Sequence, residues 1–148
     1  GFRLAFAIGA EPLIAALRQV KGVVDFNQSL ALQQGAIQAL TRWADWPRSL
    51  HGMYRERRDR VLSVLRGGGW SCPTPGMAMY LWLPLPADAG VRKLDDETFA
   101  SHVLQHSGVA LTPGSGFGEG GKGWLRMALV RPTDELEDAA RRLVAAVP

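Results

Sequence analysis

A single cysteine, Cys72, leaves the 148-residue chain nothing to pair with internally. That excludes an internal disulfide framework and fits a reducing, cytoplasmic setting. Lysine is scarce too: Lys21, Lys93 and Lys122 stand against fourteen arginines. The basic residues are spread out or share one helix with acids, so the net charge of +3 does not point to nucleic acid. No apolar run reaches the roughly 20 residues of a membrane span. The apolar start, GFRLAFAIGA, is too short for a signal peptide and carries an arginine. His102 and His106 have the spacing of two metal ligands on one helix, but no third ligand lies near them in sequence, and exposure is the plainer reading. Neither a repeat nor a long linker is visible. A starting methionine is missing as well: Gly1 stands directly before a strand-like run, so the sequence reads as part of a longer chain.

What is present is a globular composition, 47% hydrophobic, in a chain long enough for one core. Phe2 to Ile8 alternates large and small residues, as a strand with one small-residue face would. Helices are expected from Glu11-Pro12 with Leu13, Ala16, Leu17 and Val20 inward, and over 28–42 with Leu32, Ala36, Ile37 and Leu40 inward. Pro47 should break the chain before a third helix over 48–66. The mixed-sign run Arg55 to Arg60 reads as its solvated face. Strands are expected at 70–72, 78–83, 109–112 and 124–130. Helices are expected from Asp95-Asp96 to Ser107 and from Pro132-Thr133 onward. The order from Ala78 on, β-α-β-β-α, implies a compact α/β layer with helices on one face of a small sheet.

The segment TPGSGFGEGGKGWLRMAL, 112–129, carries the most chemistry. Gly116 to Lys122 imitates a P-loop, but Gly123 stands where a hydroxyl is needed, and a strand-like run follows instead of a helix. In that run Trp124, Arg126 and Ala128 share one face, and Leu125, Met127 and Leu129 the other. A permanent guanidinium there either grips an anion bidentately or snorkels to a sheet edge and pairs with a surface acid. Arg3 poses the same choice: an anion approaching over Ala5 and Ala7 would meet it, or it ends a surface strand. Ser115 lacks a base at any recognisable spacing, and Cys72, beside Trp70 and Pro73, reads as a packing residue.

Taken in order, GFRLAFAIG with EPLIAALRQVKGVVDFNQ, then MAMYLWLPLP, then GVALTPGSGFGEGGKGWLRMALVRPTDELEDAARRL resemble the carboxyl-terminal portion of class I/II aminotransferases, the fold-type I enzymes that use pyridoxal 5'-phosphate. The resemblance implies that residues 1–45 end the large cofactor-binding domain and that 46–148 form the small domain. It implies that Arg3 holds the cofactor phosphate, that Arg126 grips the substrate α-carboxylate, and that Tyr80 lies near the mouth of the site. The family's Schiff-base lysine would fall before Gly1, and Lys21, Lys93 and Lys122 do not stand in its place. Met77 stands where the family commonly has glycine. The segment DFNQ resembles diaminopimelate-type members.

The implied activity of the intact parent is transfer of an amino group between an amino acid and a 2-oxo acid. This chain alone would be inactive and would not retain the cofactor. A homodimer or self-association through unpartnered apolar residues is expected, with no membrane or nucleic-acid partner and no metal. Two alternatives stay open: a non-enzymatic binding module that keeps the small-domain fold, and a decarboxylase or lyase of the same fold.

Overall fold

The computed structural model describes residues 3–42, 46–87 and 94–147. Phe2, expected on the apolar face of the first run, and Lys93 lie outside the described residues. The chain divides into two compact units, Gly1–Arg48 and Ser49–Pro148.

In the first unit, residues 3–10 are irregular and form no strand, contrary to the alternation read from the sequence. Alternation alone does not make a strand; a neighbouring strand must take up the backbone groups, and none does so here among the described residues. Arg3 also has φ 56°, a left-handed conformation incompatible with an extended run. Helices α1 (Glu11–Val24) and α2 (Leu30–Arg42) form as expected, α1 with Pro12 in its first turn. Their apolar stripes are not buried. Neither helix has a buried residue, and Leu13, Leu17, Val20, Ile37 and Leu40 are all exposed. Helical periodicity sorts apolar residues onto one face, but burial needs a second surface, and two short helices offer too little of one. Phe6 and Ile8 are exposed in the same way. Limited proteolysis of this chain should therefore cut first within α1 and α2 and leave a resistant piece beginning near residue 49. Amides of α1 protected from hydrogen exchange as strongly as those of the sheet would instead show that association covers the stripe.

The second unit owns the core. Helix α3 (Trp46–Gly67) starts earlier than expected, because Pro47 sits in its first turn, where a missing N–H breaks no helical bond. It buries Val61, Leu62 and Leu65 and stops at a glycine run in which Gly69 has φ 84°. The expected solvated face needs correction at two positions. Arg57 donates to the Leu129 carbonyl at 2.9 Å and Arg58 to that of Pro75 at 3.0 Å, so both tie the helix to distant backbone. Farther along, Arg66 holds the Cys72 carbonyl and the Thr74 hydroxyl. Trp70 forms no strand; its indole N–H donates to the Pro84 carbonyl at 2.7 Å, and its ring meets Phe99 edge-on. Cys72 is buried, and burial pushes its thiol up to about 11, as befits a packing residue.

Three antiparallel strands, β1 (Tyr80–Pro84), β2 (Thr112–Pro113) and β3 (Trp124–Ala128), pair in the order β1-β3-β2. One face buries Leu81, Leu83, Leu125 and Met127. Helices α4 (Asp96–Ser107) and α5 (Thr133–Ala146) supply Phe99, Val103, Leu136, Ala140 and Leu143 to the same core. The α/β architecture expected from the element order is the one found. Asp95 caps α4 by accepting from the Thr98 N–H, and Gly108 ends it at φ 68°. His102 is half-buried and not simply exposed: its Nε2 lies 3.1 Å from the Ala146 carbonyl oxygen, joining α4 to the end of α5. Among the described residues no helix is long and apolar enough to cross a membrane.

Candidate functional site: an arginine on an aromatic sheet face

The sheet face away from the core is built by register. Arg126 on central β3 lies between Trp82 of β1 and Thr112 of β2. Tyr80 is one pleat away along β1, opposite Ala128. Directly opposed residues of antiparallel strands point to the same side, so Tyr80, Trp82, Trp124 and Arg126 share this face. All four are half-buried, while their sequence neighbours on β1 and β3 fill the core. The alternation read from the sequence for β3 is thus the observed one.

The rings form a connected set. Trp82 stacks on Trp124 with centroids 6.1 Å apart and takes the edge of Phe117 at 5.6 Å. The guanidinium carbon of Arg126 lies 4.5 Å from the Tyr80 ring centre and 4.7 Å from that of Phe117. Among the described residues no carboxylate pairs with Arg126. Surface pairing, one of the two readings of this arginine, therefore has no partner here. Aromatic rings engage the flat face of a guanidinium and leave its in-plane N–H donors available. Such a fork matches the two oxygens of a carboxylate.

The glycine-rich loop frames the site from one side. It runs through two short 3₁₀ turns, Gly114–Phe117 and Glu119–Gly121, into β3, with no helix behind it to hold a phosphate. Gly118 and Gly123 need glycine for their φ of 106° and 76°. Gly114 and Gly121 need it for contact: each backbone lies where the other's Cβ would be.

Asp96 pins this loop. Its carboxylate, 3% exposed, accepts from the Ser115 N–H at 2.7 Å and the Gly123 N–H at 3.3 Å. Burial by itself would raise this carboxyl, but the Ser115 and Gly123 donors hold it below the ordinary 3.8. A carboxylate depressed in the folded state contributes stability above its unfolded pKa and loses it as pH falls through the folded value. Acid unfolding below pH 3.8 should therefore be steeper in the parent chain than in Asp96→Asn, followed by tryptophan fluorescence. Equal acid limbs would show that the carboxylate charge is not used.

From the sequence, both Asp95 and Asp96 belong to the helix cap. Only one residue can cap, and Asp96 falls at helical spacing with Phe99, Ala100 and Val103 on the buried stripe. A buried acid needs a partner, and that is the signal the sequence offers. Phe117 and Trp82 carry no such signal, because their meeting depends on how the loop returns over the sheet.

Arg3 lies in the first unit. It is exposed and lines a pocket of about 570 Å³ with Ala5, Ala7, Arg18 and Lys21, whose other walls include the apolar Phe6, Ile14 and Leu17. Small side chains beside three cations can admit an anionic group. Lys21 also pairs with Asp25 at 2.7 Å. Met77 is exposed, and the glycine-like conformation at the entrance to β1 falls on the next residue, Ala78, at φ 93°. Ser115 Oγ donates to Glu97 at 3.2 Å, and among the described residues no histidine is hydrogen-bonded to it.

Comparison with known proteins gives a consistent result. The family model described as aminotransferase class I and II matches residues 1–143. An LL-diaminopimelate aminotransferase of Nitratidesulfovibrio vulgaris Miyazaki F is 41% identical over 97% of this chain and 36% of its own length. A solved probable N-succinyldiaminopimelate aminotransferase from Thermus thermophilus matches 94% of the chain and 36% of its own, at TM-score 0.80 and 41% identity. An aminotransferase from Staphylococcus aureus matches 99% of the chain and 39% of its own, at TM-score 0.84 and 28% identity. This chain thus spans a little over a third of the length of the relatives it matches.

Proposed function

This chain belongs to the class I and II aminotransferase family, and we propose that it is the carboxyl-terminal portion of an enzyme that moves an amino group between an amino acid and a 2-oxo acid. The observation that carries the proposal is Arg126, a guanidinium held on an aromatic sheet face with no acid to neutralise it among the described residues. Residues 1–45 would close the large domain and 46–148 would be the small domain. The names of the relatives support a diamino-dicarboxylic acid as the amino donor.

In this reading Arg126 takes the substrate α-carboxylate through two charge-assisted hydrogen bonds and so fixes the direction of the Cα–H bond. Tyr80 steadies the guanidinium and borders the site. Arg3 would hold the phosphate of pyridoxal 5'-phosphate, with the cations Arg18 and Lys21 lining the same pocket. When bound, the cofactor supplies the electron sink for the carbanion left by proton removal. The reading places the enzyme in the cytoplasm, consistent with one buried thiol, and as a homodimer, and it leaves the exposed stripes of α1 and α2 for the rest of the large domain to cover.

Two measurements test the proposal. The intact mass of the natural protein should exceed that of this chain, and that protein should transfer amino groups to a 2-oxo acid; a natural protein without such transfer ends the aminotransferase reading. This chain alone, treated with pyridoxal phosphate and borohydride, should retain no stoichiometric label at a single lysine, because the reading puts the Schiff-base lysine outside it. Specific labelling of Lys21, Lys93 or Lys122 would overturn that.

A further inference from the structure

We infer that Asp96 and Phe117 are positioning residues for Arg126, with the glycine loop as the part that connects them. The inference rests on the reading of Arg126 as the carboxylate grip. Asp96 ties the two ends of the loop through Ser115 and Gly123, and Phe117 lies between those anchor points. Phe117 is 53% exposed, so the core does not hold its ring. What holds it is the edge contact with Trp82 and the guanidinium of Arg126. A long arginine side chain on an open sheet face has several free torsions. Rings of Tyr80 and Phe117 against its guanidinium limit those torsions before any ligand arrives, which lowers the entropy lost on binding.

The two rings come from different sources. Tyr80 is set by the sheet register, whereas Phe117 is set by the loop, as the last residue of the 3₁₀ turn Gly114–Phe117. Loop position is therefore the adjustable quantity, and Asp96 is the group that fixes it. Replacing Asp96 with asparagine keeps the shape but removes one acceptor oxygen, so one of the two loop amides loses its partner.

The test uses this 148-residue chain and nuclear magnetic resonance of its arginine side chains. Ring currents from Tyr80 and Phe117 should shift the Arg126 side-chain protons upfield in the parent. Phe117→Leu and Asp96→Asn should each reduce that shift, with the Leu83 and Leu125 amides unmoved, and Phe117→Tyr should keep it. If Asp96→Asn displaces the Ser115 and Gly123 amides while Arg126 stays in place, Asp96 only shapes the loop and the inference fails. Should Asp96→Asn not fold, the Phe117→Leu and Phe117→Tyr pair decides: an unchanged Arg126 shift in Phe117→Leu overturns the inference.

Titration with acetate separates the two ideas. The Arg126 resonances of the parent should respond, and Phe117→Leu should bind roughly fivefold more weakly, the scale of ordering one long side chain on binding. A parent with the ring-current shift but no response to acetate would overturn the carboxylate reading and leave the positioning intact. Equal acetate affinity in the parent and Phe117→Leu would overturn the positioning.

Discussion

Replacing Arg126 with lysine in an active enzyme carrying this chain should lower kcat/KM for amino acids by about 2–4 kcal/mol. Charge is kept, but three things are lost: the planar fork, the second hydrogen bond to the carboxylate, and the flat cation that two rings can cover. An ammonium at the end of a flexible stem meets one carboxylate oxygen at a time. Simple amines, which bring no carboxylate, should lose far less. Steady-state kinetics with a matched amino acid and its decarboxylated amine measure the difference directly. Equal losses for both would make Arg126 a structural residue. No loss for either would make it an ordinary surface charge.

Gly114→Ala should destabilise the second unit by about 3 kcal/mol, the upper range for overpacking a filled site. A methyl at Gly114 would overlap the Gly121 carbonyl and lie 2.7 Å from the carbonyl oxygen of Trp124. Both obstacles are backbone, so no side chain can swing aside. The strand that carries Arg126 begins at Trp124, and the strain would pass straight into it. Gly116→Ala, two residues on, meets nothing within 4 Å and should be close to neutral. Urea unfolding of the two variants side by side checks the contrast; similar midpoints would show that the loop relaxes at little cost.

Legibility of the chain in its sequence varies with how local the cause is. The α4 boundaries can be read from Asp95 and Gly108, because capping and left-handed termination are set within a few residues. The two faces of β3 can be read from alternation for the same reason. By contrast, the stripes of α1 and α2 have the right period and remain exposed, since periodicity says which face would be buried and not whether a surface exists to bury it. At the site, Arg126 and Tyr80 stand out through residue type and resemblance. Asp96 and Phe117 do not, because Asp96 meets amides 19 and 27 residues further on and the Phe117 ring meets Trp82 only when the loop returns over the sheet. Arg57 and Arg58 are hidden by a similar effect: a mixed-sign run looks solvated until distant carbonyls arrive beside it.

The strand order β1-β3-β2 has a consequence for how the protein is made. The central strand is the last of the three to be synthesised, and among the described residues both outer strands pair only with it. Until β3 has followed it out of the ribosome, β1 has its backbone donors and acceptors unmatched, and Leu81 and Leu83 have no sheet to join. Such a nascent segment is open to pairing with another chain or to capture by a chaperone. Delaying the emergence of β3 after that of β1 should lengthen that exposure and lower the soluble yield.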